Sequence, residues 1–194
     1  MDRRALGQTL REKGLEEVLR QLSGLSAKKA INTLIPSLYS PDEVVRLKAV
    51  SAFGDMMKRL AGEDMEAARI VMRRLMWSLN DESGGIGWGA PEAMAEAMAR
   101  HKGLLEEYGQ ILLSYIRQDG NYLEYAPLRK GALRGIMRIS ETNPDFLKKC
   151  KAIVYIKPFL VSPDPLERMY GSLIADRIGE KEDYKAPSSP AGDK

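Results

Sequence analysis

A glycine-rich stretch is the first place where the residue types suggest chemistry. Residues 80–93 are NDESGGIGWGAPEA, and the part from Gly85 to Ala90 fits the pattern G-x-G-x-x-A of dinucleotide-binding loops. In such loops a strand precedes the pattern, and backbone N–H groups at a helix start hold the pyrophosphate. Here the preceding ARIVMRRLMWSL has helical periodicity, and Asp81 and Glu82 would repel an anion. The sequence therefore argues against a nucleotide site, and we expect no cofactor.

Residues that usually hold metals or act as nucleophiles are scarce. His101 is the one histidine and Cys150 the one cysteine. A zinc site needs three or four protein ligands and a Ser-His-Asp triad needs a placed histidine, so both are poorly supported. We expect His101 to be a solvated residue at a helix end and Cys150 to be a structural thiol. No pair of carboxylates suggests acid–base catalysis, so the chain is predicted not to be an enzyme.

Composition narrows the class of protein. The 194 residues are 44% hydrophobic and 29% charged, and the net charge is +3. This fits one folded domain, expected over residues 1–180, followed by a polar tail at 181–194 that we expect to be disordered. No run approaches the roughly 18 apolar residues of a membrane span, and the N-terminus lacks the apolar segment of a secretory signal. We therefore expect a cytoplasmic protein without a membrane partner.

Four segments of the chain resemble one another. Each one follows an apolar helical stretch and opens a second helix, as SPDEVVRLKAVSAFGDMM does from Ser40. One small residue recurs at the same place in these second helices, namely Ala49, Ala90, Ala132 and Gly171, at spacings of 41, 42 and 39 residues. A small side chain allows two helices to pack closely, and a period near 40 is typical of two-helix solenoid repeats.

The sequence therefore predicts four repeats, each with a first helix A and a second helix B. The predicted A helices cover residues 27–38, 63–79, 104–117 and 145–160. The predicted B helices cover residues 41–60, 91–100, 127–140 and 165–178. One more helix near residues 3–22 would cap the first repeat. Because no alternating strand pattern is found, the expected fold is all-α.

The first and last repeats carry the clearest signature. Both have Ser-Pro-Asp at the turn, at residues 40–42 and 162–164, with an arginine four residues after the aspartate. Both also have a proline in helix A, Pro36 and Pro158. We interpret the serine as the N-cap of helix B and the aspartate as a first-turn acid. In these residues the chain resembles the HEAT-like repeat family over roughly residues 25–180. The resemblance implies an α–α superhelix that binds other macromolecules and rarely catalyses a reaction.

Some HEAT-like proteins are DNA alkylation-repair glycosylases, which place tryptophans and an aspartate around a damaged base. In this chain Trp77 lies four residues before Asp81, and Trp88 is near in sequence. However, Trp77 in MRRLMWSL is predicted to lie in the core, and the wider motifs of those enzymes are not found. A base-excision enzyme is therefore the less supported alternative.

The two central repeats have longer turns between helices A and B than the end repeats. The step from the turn aspartate to the arginine position is six residues in the second repeat (Asp81 to Gly87) and ten in the third (Asp119 to Arg129). Insertions of this kind lie along one edge of a solenoid, which is often its binding face. The turn residues that we expect to contact a partner are Asp81, Glu82, Trp88, Tyr122 and Tyr125.

Trp88 has two interpretations that can coexist. It is either a half-exposed anchor for a partner or a side chain that fills the space between turns. The same choice applies to Tyr122 and Tyr125, which would form one aromatic patch with Trp88. Because acidic residues rim these aromatic side chains, a protein partner fits better than a phosphate backbone.

Charges on the B helices suggest contacts between repeats. In the register of the small residues, Glu92 aligns with Arg134, and Glu96 aligns with Arg138. The row of Glu96 also contains Asp55 and Arg177. We predict a ladder of ion pairs along the B helices, with at least one carboxylate–guanidinium distance within about 4 Å.

The same helices also allow a different function. The basic residues on them could form a stripe for nucleic acid, made of Arg46, Lys130, Arg134, Arg138 and Arg168. The expected function is nevertheless a non-catalytic adaptor or scaffold for another protein, with Arg134 and Arg138 among its partner-binding residues. Nucleic-acid binding is the alternative.

Overall fold

The computed structural model describes residues 3–80 and 87–179, and within these ranges every regular element is an α-helix. The described helices are α1 (Arg3–Glu12), α2 (Leu15–Ser23), α3 (Ala27–Leu38), α4 (Glu43–Glu63), α5 (Met65–Leu79), α6 (Ala90–Arg100), α7 (Lys102–Ser114), α8 (Ala126–Thr142), α9 (Pro144–Lys149), α10 (Ile153–Leu160) and α11 (Pro165–Ile178). Asp81, Glu82 and the predicted tail at 181–194 lie outside the described residues.

The helices pair as the repeat hypothesis predicts. The A helices are α3, α5, α7 and α10, and each is followed by its B helix, α4, α6, α8 or α11. The B helices contact one another in sequence order, α4 with α6, α6 with α8, and α8 with α11. Large apolar side chains such as Leu34, Phe53, Met94 and Ile136 are fully buried between the layers. The chain is therefore an all-α helical-repeat solenoid, and this expectation is confirmed.

The N-terminal cap is two helices rather than the one predicted near residues 3–22. The break lies at Gly14, which is extended (φ −68°, ψ 162°) and precedes α2. Glycine is a poor helix residue because it has the most backbone freedom to lose. The turn folds α2 back, so that both helices contact α4 and bury Leu6, Leu10 and Val18.

The last A helix is also divided. The prediction of one helix over 145–160 is wrong, because Lys151 adopts a left-handed conformation (φ 52°) between α9 and α10. The Ala152 N–H donates to the Leu147 carbonyl over 2.9 Å, a bond that closes the end of α9. Cys150 lies at this break, partly buried, and burial raises the pKa of its thiol. A raised pKa disfavours the thiolate, as expected of a structural cysteine.

The small residues of the B helices do not all lie at the same distance from the helix start. Ala49, Ala132 and Gly171 each lie six residues after the first residue of their helix, whereas Ala90 is itself the first residue of α6. All four are buried. Gly54 of α4 lies against Glu96 of α6, and Glu96 pairs with Arg138 of α8, so both contacts join residues 42 apart and the register holds. The second repeat therefore lacks the first six helical residues of its B helix, in addition to having a longer turn.

Candidate interaction surface

The turns of the first and last repeats have the same hydrogen bonds. Asp42 is the N-cap of α4, and its Oδ1 accepts from Val44 N–H and Val45 N–H over 3.0 and 3.3 Å. Asp164 caps α11 in the same way, over 2.9 and 3.3 Å. The prediction that the serine is the N-cap is therefore wrong. Each serine, Ser40 or Ser162, instead accepts the N–H of the aspartate over 3.2 Å and holds the capping residue in place.

One arginine closes each of three turns. Arg46, Arg129 and Arg168 are all four residues after an N-cap, and each donates to a carbonyl six residues earlier. The distances are 2.8 Å to Ser40 O, 3.1 Å to Leu123 O and 2.6 Å to Ser162 O. The cap aspartates therefore do not pair with these arginines. Asp42 pairs with Arg11 and Asp164 pairs with Lys130.

The second repeat has glycines where the other turns have these side chains. Gly87 aligns with these arginines in the register of the small residues, and a Cβ there would lie 2.8 Å from Ser78 O at the end of α5. Gly89 is the N-cap of α6 and is left-handed, with φ 72°. A Cβ on Gly89 would lie 2.5 Å from Leu38 O at the end of α3. The turn thus packs its backbone against two carbonyls, an approach that only glycine allows.

Trp88 lies between these two glycines and is half-buried. The guanidinium carbon of Arg46 lies 5.7 Å from the centre of its ring, which is within cation–π range. Trp88 takes the place of the helical turn that α6 lacks, and it borders a cavity of about 170 Å³. All four B helices line this cavity, which we call the inner cavity; its residues include Arg46, Trp88, Glu92, Lys130, Arg134 and Tyr170.

The tyrosines of the third turn lie at another place. Tyr122 borders a cavity of about 640 Å³ between the turns of the third and fourth repeats, which we call the turn cavity. The Arg129 guanidinium lies 5.3 Å from the Tyr122 ring centre. Tyr125 is 48% exposed and lines neither cavity. The two cavities share no lining residue among those that the structure describes, so Trp88 and Tyr122 lie in separate pockets rather than in one aromatic patch.

The floor of the turn cavity is a buried ion pair. Glu167 is 4% exposed, and its Oε1 lies 2.8 Å from Arg129. Its other oxygen, Oε2, accepts from the Ser162 hydroxyl over 2.6 Å. Both oxygens therefore have donors, as burial of a carboxylate requires. Sequence analysis missed this pair, although Glu167 follows the cap aspartate by three residues, the spacing of a capping box.

The predicted ladder of ion pairs is present. Glu96 lies 2.8 Å from Arg138, and it also lies 2.7 Å from Arg100 on its own helix. Arg100 continues to Asp55 of α4 over 2.7 Å. On the other side Arg138 continues to Glu141 over 3.1 Å, and Glu141 pairs with Arg177 of α11 over 3.1 Å. Alternating charges thus connect all four B helices. Arg100 and Glu141 were not in the predicted row.

The other predicted pair, Glu92 with Arg134, does not form. Arg134 reaches Glu43 of α4 instead, at 3.5 Å. Glu92 lies against α8, where its Oε2 is inaccessible to solvent and has no hydrogen-bond partner among the described residues. Burial raises the pKa of the Glu92 carboxyl, and the nearby Arg134 and Arg46 oppose that rise. An unsatisfied buried oxygen of this kind needs an explanation.

The cations of the predicted basic stripe are mostly matched within the chain. Lys130 pairs with Asp164 over 2.9 Å, and Arg134 and Arg138 pair with Glu43 and Glu96. Nucleic acid binding depends on Lys and Arg side chains that neutralise phosphates, which releases the counterions bound to the nucleic acid. Cations that already have carboxylate partners must first lose them, so this face is a poor match for a nucleic acid backbone.

Trp77 is not in the core, contrary to the sequence analysis. Its exposed fraction is 79%, on the outer face of α5 near Ile70, which is 56% exposed. It lines neither the inner cavity nor the turn cavity. A pocket of Trp77 and Trp88 around a damaged base is therefore not formed by the described residues. These residues also contain no cluster of three His, Cys, Asp or Glu side chains that could hold a metal ion.

Comparison with known proteins gives the fold and no function. No protein-family model matches the chain. An uncharacterized protein of Archaeoglobus fulgidus is 32% identical over 111 residues, and the match covers 57% of each protein. The chain thus spans little more than half the length of this relative.

Among solved structures, an engineered protein from the Northeast Structural Genomics Consortium covers 90% of this chain and 78% of its own, with 16% identity and a TM-score of 0.50. A designed armadillo repeat protein covers 89% of this chain and 80% of its own, with 16% identity and a TM-score of 0.49. The first of these likenesses agrees with the helical-repeat fold. Separately, none of the described helices combines the length and apolarity needed to cross a bilayer.

Proposed function

We propose that this chain is a non-catalytic scaffold that binds another protein, with Trp88 as an anchor at the turn of the second repeat. The observation that carries the proposal is the half-buried Trp88 ring beside Arg46 at the mouth of a cavity. Tryptophan, tyrosine and arginine dominate the binding energy of protein interfaces, above all where they border pockets. Tyr122 with Arg129 at the turn cavity and the exposed Tyr125 add residues of the same kind.

The charge pattern supports a protein partner over a nucleic acid. Arg134 and Arg138 were expected to contact the partner, and both have carboxylate neighbours within the chain. Such pairs at an interface favour a partner of mixed charge, because they can be rearranged between the two proteins without a large net field. Arg138 belongs to the ladder and is the less available of the two, whereas the Arg134 pair with Glu43 is long and partly exposed.

The test begins with the full-length chain as bait in an extract of its native cell, followed by mass spectrometry and a measured Kd for the partner found. Trp88→Ala is expected to weaken that Kd by about 30-fold, which corresponds to about 2 kcal/mol for an anchor residue. Trp77→Ala is the matched control, because it removes an equally large but exposed ring that lies on α5 rather than in the turn. We expect the control to stay within about threefold of the wild type.

Thermal melts of the same variants separate binding from folding. A half-buried anchor should cost less stability than the about 3 to 5 kcal/mol of a fully buried tryptophan. A sharp fall in the melting temperature of Trp88→Ala, with unchanged partner affinity of the folded fraction, would contradict the proposal. So would retention of the chain on a DNA column that falls steeply with salt, which is the behaviour of a phosphate-binding surface.

A further inference from the structure

The inner cavity contains two opposite charges, Glu92 and Arg46, and neither forms an ion pair with another described residue. Its volume is about 170 Å³. We propose that the inner cavity binds a small zwitterion, a molecule of amino-acid size that carries both an ammonium and a carboxylate group. This site goes beyond the proposed protein binding, since it needs no partner chain.

Glu92 supplies the negative side of the cavity. Its Oε2 has no donor among the described residues, and a Cβ on Gly131 would lie only 2.6 Å from this oxygen. The carboxylate therefore lies directly against the backbone of α8, in a space left open by the absent side chain of Gly131. An ammonium group in the cavity would supply the missing donor once the Glu92 side chain rotates toward it. Charged donors form the strongest hydrogen bonds to carboxylates.

Arg46 supplies the positive side. Among the described residues its guanidinium contacts a carbonyl, Ser40 O, and the face of Trp88, but no carboxylate. These contacts hold Arg46 at the α4 side of the cavity, whereas the Glu92 carboxylate lies on the α8 side, and the two do not form an ion pair. A ligand carboxylate beside Arg46 would complete the charge pairing that the protein leaves open. Guanidinium groups suit this role because they present several donors in one plane.

The remaining lining residues agree with a ligand of this type. Lys130 and Arg134 already have the carboxylates of Asp164 and Glu43, so they add little net attraction for a simple anion. Trp88, Tyr170, Leu128 and Leu166 give the cavity aromatic and apolar walls. A simple cation would be repelled by Arg46, and a simple anion would be repelled by Glu92. A molecule with both charges avoids each of these costs.

Binding also has an expected proton effect. Burial raises the pKa of the Glu92 carboxyl. An ammonium group beside the carboxylate favours its charged form and lowers that pKa again. Binding should therefore release protons at a pH near the raised pKa. Calorimetry in two buffers with different ionisation enthalpies detects this release.

The direct experiment is calorimetric titration of the full-length chain with L-leucine, whose apolar side chain matches the cavity walls. We expect saturable binding, which N-acetyl-L-leucine and L-leucinamide each weaken by at least about tenfold, because the first lacks the ammonium and the second the carboxylate. Equal affinity for either derivative would overturn the proposal, since one charge would then suffice. A lack of binding by L-leucine up to about 10 mM would overturn it as well.

Variants test the residue assignment. Glu92→Gln keeps the size of the side chain and is expected to weaken L-leucine binding by at least about tenfold. Glu124→Gln removes one negative charge from an exposed turn residue that lines neither cavity, and it should leave the Kd unchanged. Equal losses in both variants would mean a general charge effect and would contradict the site. If the protein partner of the previous section is never found, these measurements are unaffected.

Discussion

The turns of the end repeats and the turn of the second repeat are closed by different chemical groups. In the end repeats an aspartate caps helix B, a serine holds the aspartate and an arginine closes the loop through a carbonyl. In the second repeat Gly87 and Gly89 pack their backbones against Ser78 O and Leu38 O. Closure by side chains fills the turn with polar groups. Closure by glycine backbone shortens α6 and leaves room for Trp88 and the inner cavity, so the departure from the repeat pattern creates the candidate site.

The largest expected effect comes from Gly89→Ala. This residue combines a left-handed φ with a carbonyl 2.5 Å from the position of a new Cβ. A non-glycine residue in this conformation costs about 1 to 2 kcal/mol, and the clash adds about 1 to 3 kcal/mol. We expect a total loss of about 3 kcal/mol in the free energy of unfolding, measured by urea denaturation.

Gly62→Ala is the matched control for that substitution. Gly62 lies in α4, and a Cβ there would have no heavy atom within 4 Å. Because alanine is favoured over glycine in a helix, we expect a gain of up to about 1 kcal/mol. If Gly89→Ala were as harmless as Gly62→Ala, backbone closure of the second turn would not be what positions Trp88.

The two end turns differ at their serines, and a substitution should reveal it. The Ser162 hydroxyl donates to the buried Glu167 carboxylate over 2.6 Å, whereas the Ser40 hydroxyl has only the bond from Asp42 N–H among the described residues. Ser162→Ala should cost about 2 kcal/mol, as for a hydrogen bond to a charged group. Ser40→Ala should cost about 0.5 kcal/mol, near the lower end for a neutral hydrogen bond. Equal losses in denaturation experiments would show that the buried ion pair does not need the hydroxyl.

The caps of the two end turns should, in contrast, be nearly equal. Asp42→Ala and Asp164→Ala each remove a capping carboxylate with two backbone donors. Each should lower the free energy of unfolding by about 1 kcal/mol. A loss from only one of the two variants would mean that the turns are alike in geometry but not in energetics. Differential scanning calorimetry of the two variants side by side gives the answer.

The smallest effect is a difference in pH dependence between the ends and the centre. Hydrogen bonds from Val45 N–H and from Lys130 hold the pKa of Asp42 and of Asp164, respectively, below the ordinary 3.8, so their stabilisation is full above that pH and is lost as the pH falls. The Glu92 pKa is raised above 4.5, so its contribution is full below 4.5 and is lost as the pH rises. Glu92→Gln should therefore raise Tm at pH 7 and raise it by less at pH 4. If the gain in Tm were smaller at pH 7 than at pH 4, the pKa of Glu92 would be lowered in the folded state rather than raised.

Helix content and repeat spacing were predictable from the sequence, because they depend on local signals: the periodicity of apolar residues, and turn residues that are adjacent in the chain. The range of α11, Pro165–Ile178, follows directly from such signals. The left-handed Lys151 did not, since no glycine or proline marks the break and the apolar pattern continues through it. The late start of α6 was predicted correctly, because Pro91 marks a helix start and the predicted range 91–100 agrees with the observed Ala90–Arg100.

The candidate site was predictable only where register decides the contact. Glu96 with Arg138 follows from a spacing of 42 residues and is present. Glu92 and Arg134 have the same spacing but do not form an ion pair, because Arg134 pairs with Glu43 of α4 beyond the shortened start of α6. The exposed face of Trp77 likewise depends on how α5 is oriented, and a short apolar segment such as MRRLMWSL does not fix that orientation.

The ladder of charges along the B helices has a consequence for how the molecule unfolds. A stack of repeats ordinarily loses its end units first, since each unit contacts only its neighbours. Here detaching α11 leaves Glu141 without Arg177, and detaching α4 leaves Arg100 without Asp55. Each end unit therefore carries an electrostatic tether to the interior. These ion pairs raise the free energy of detaching an end repeat. They therefore favour a single cooperative unfolding transition over the stepwise loss of repeats.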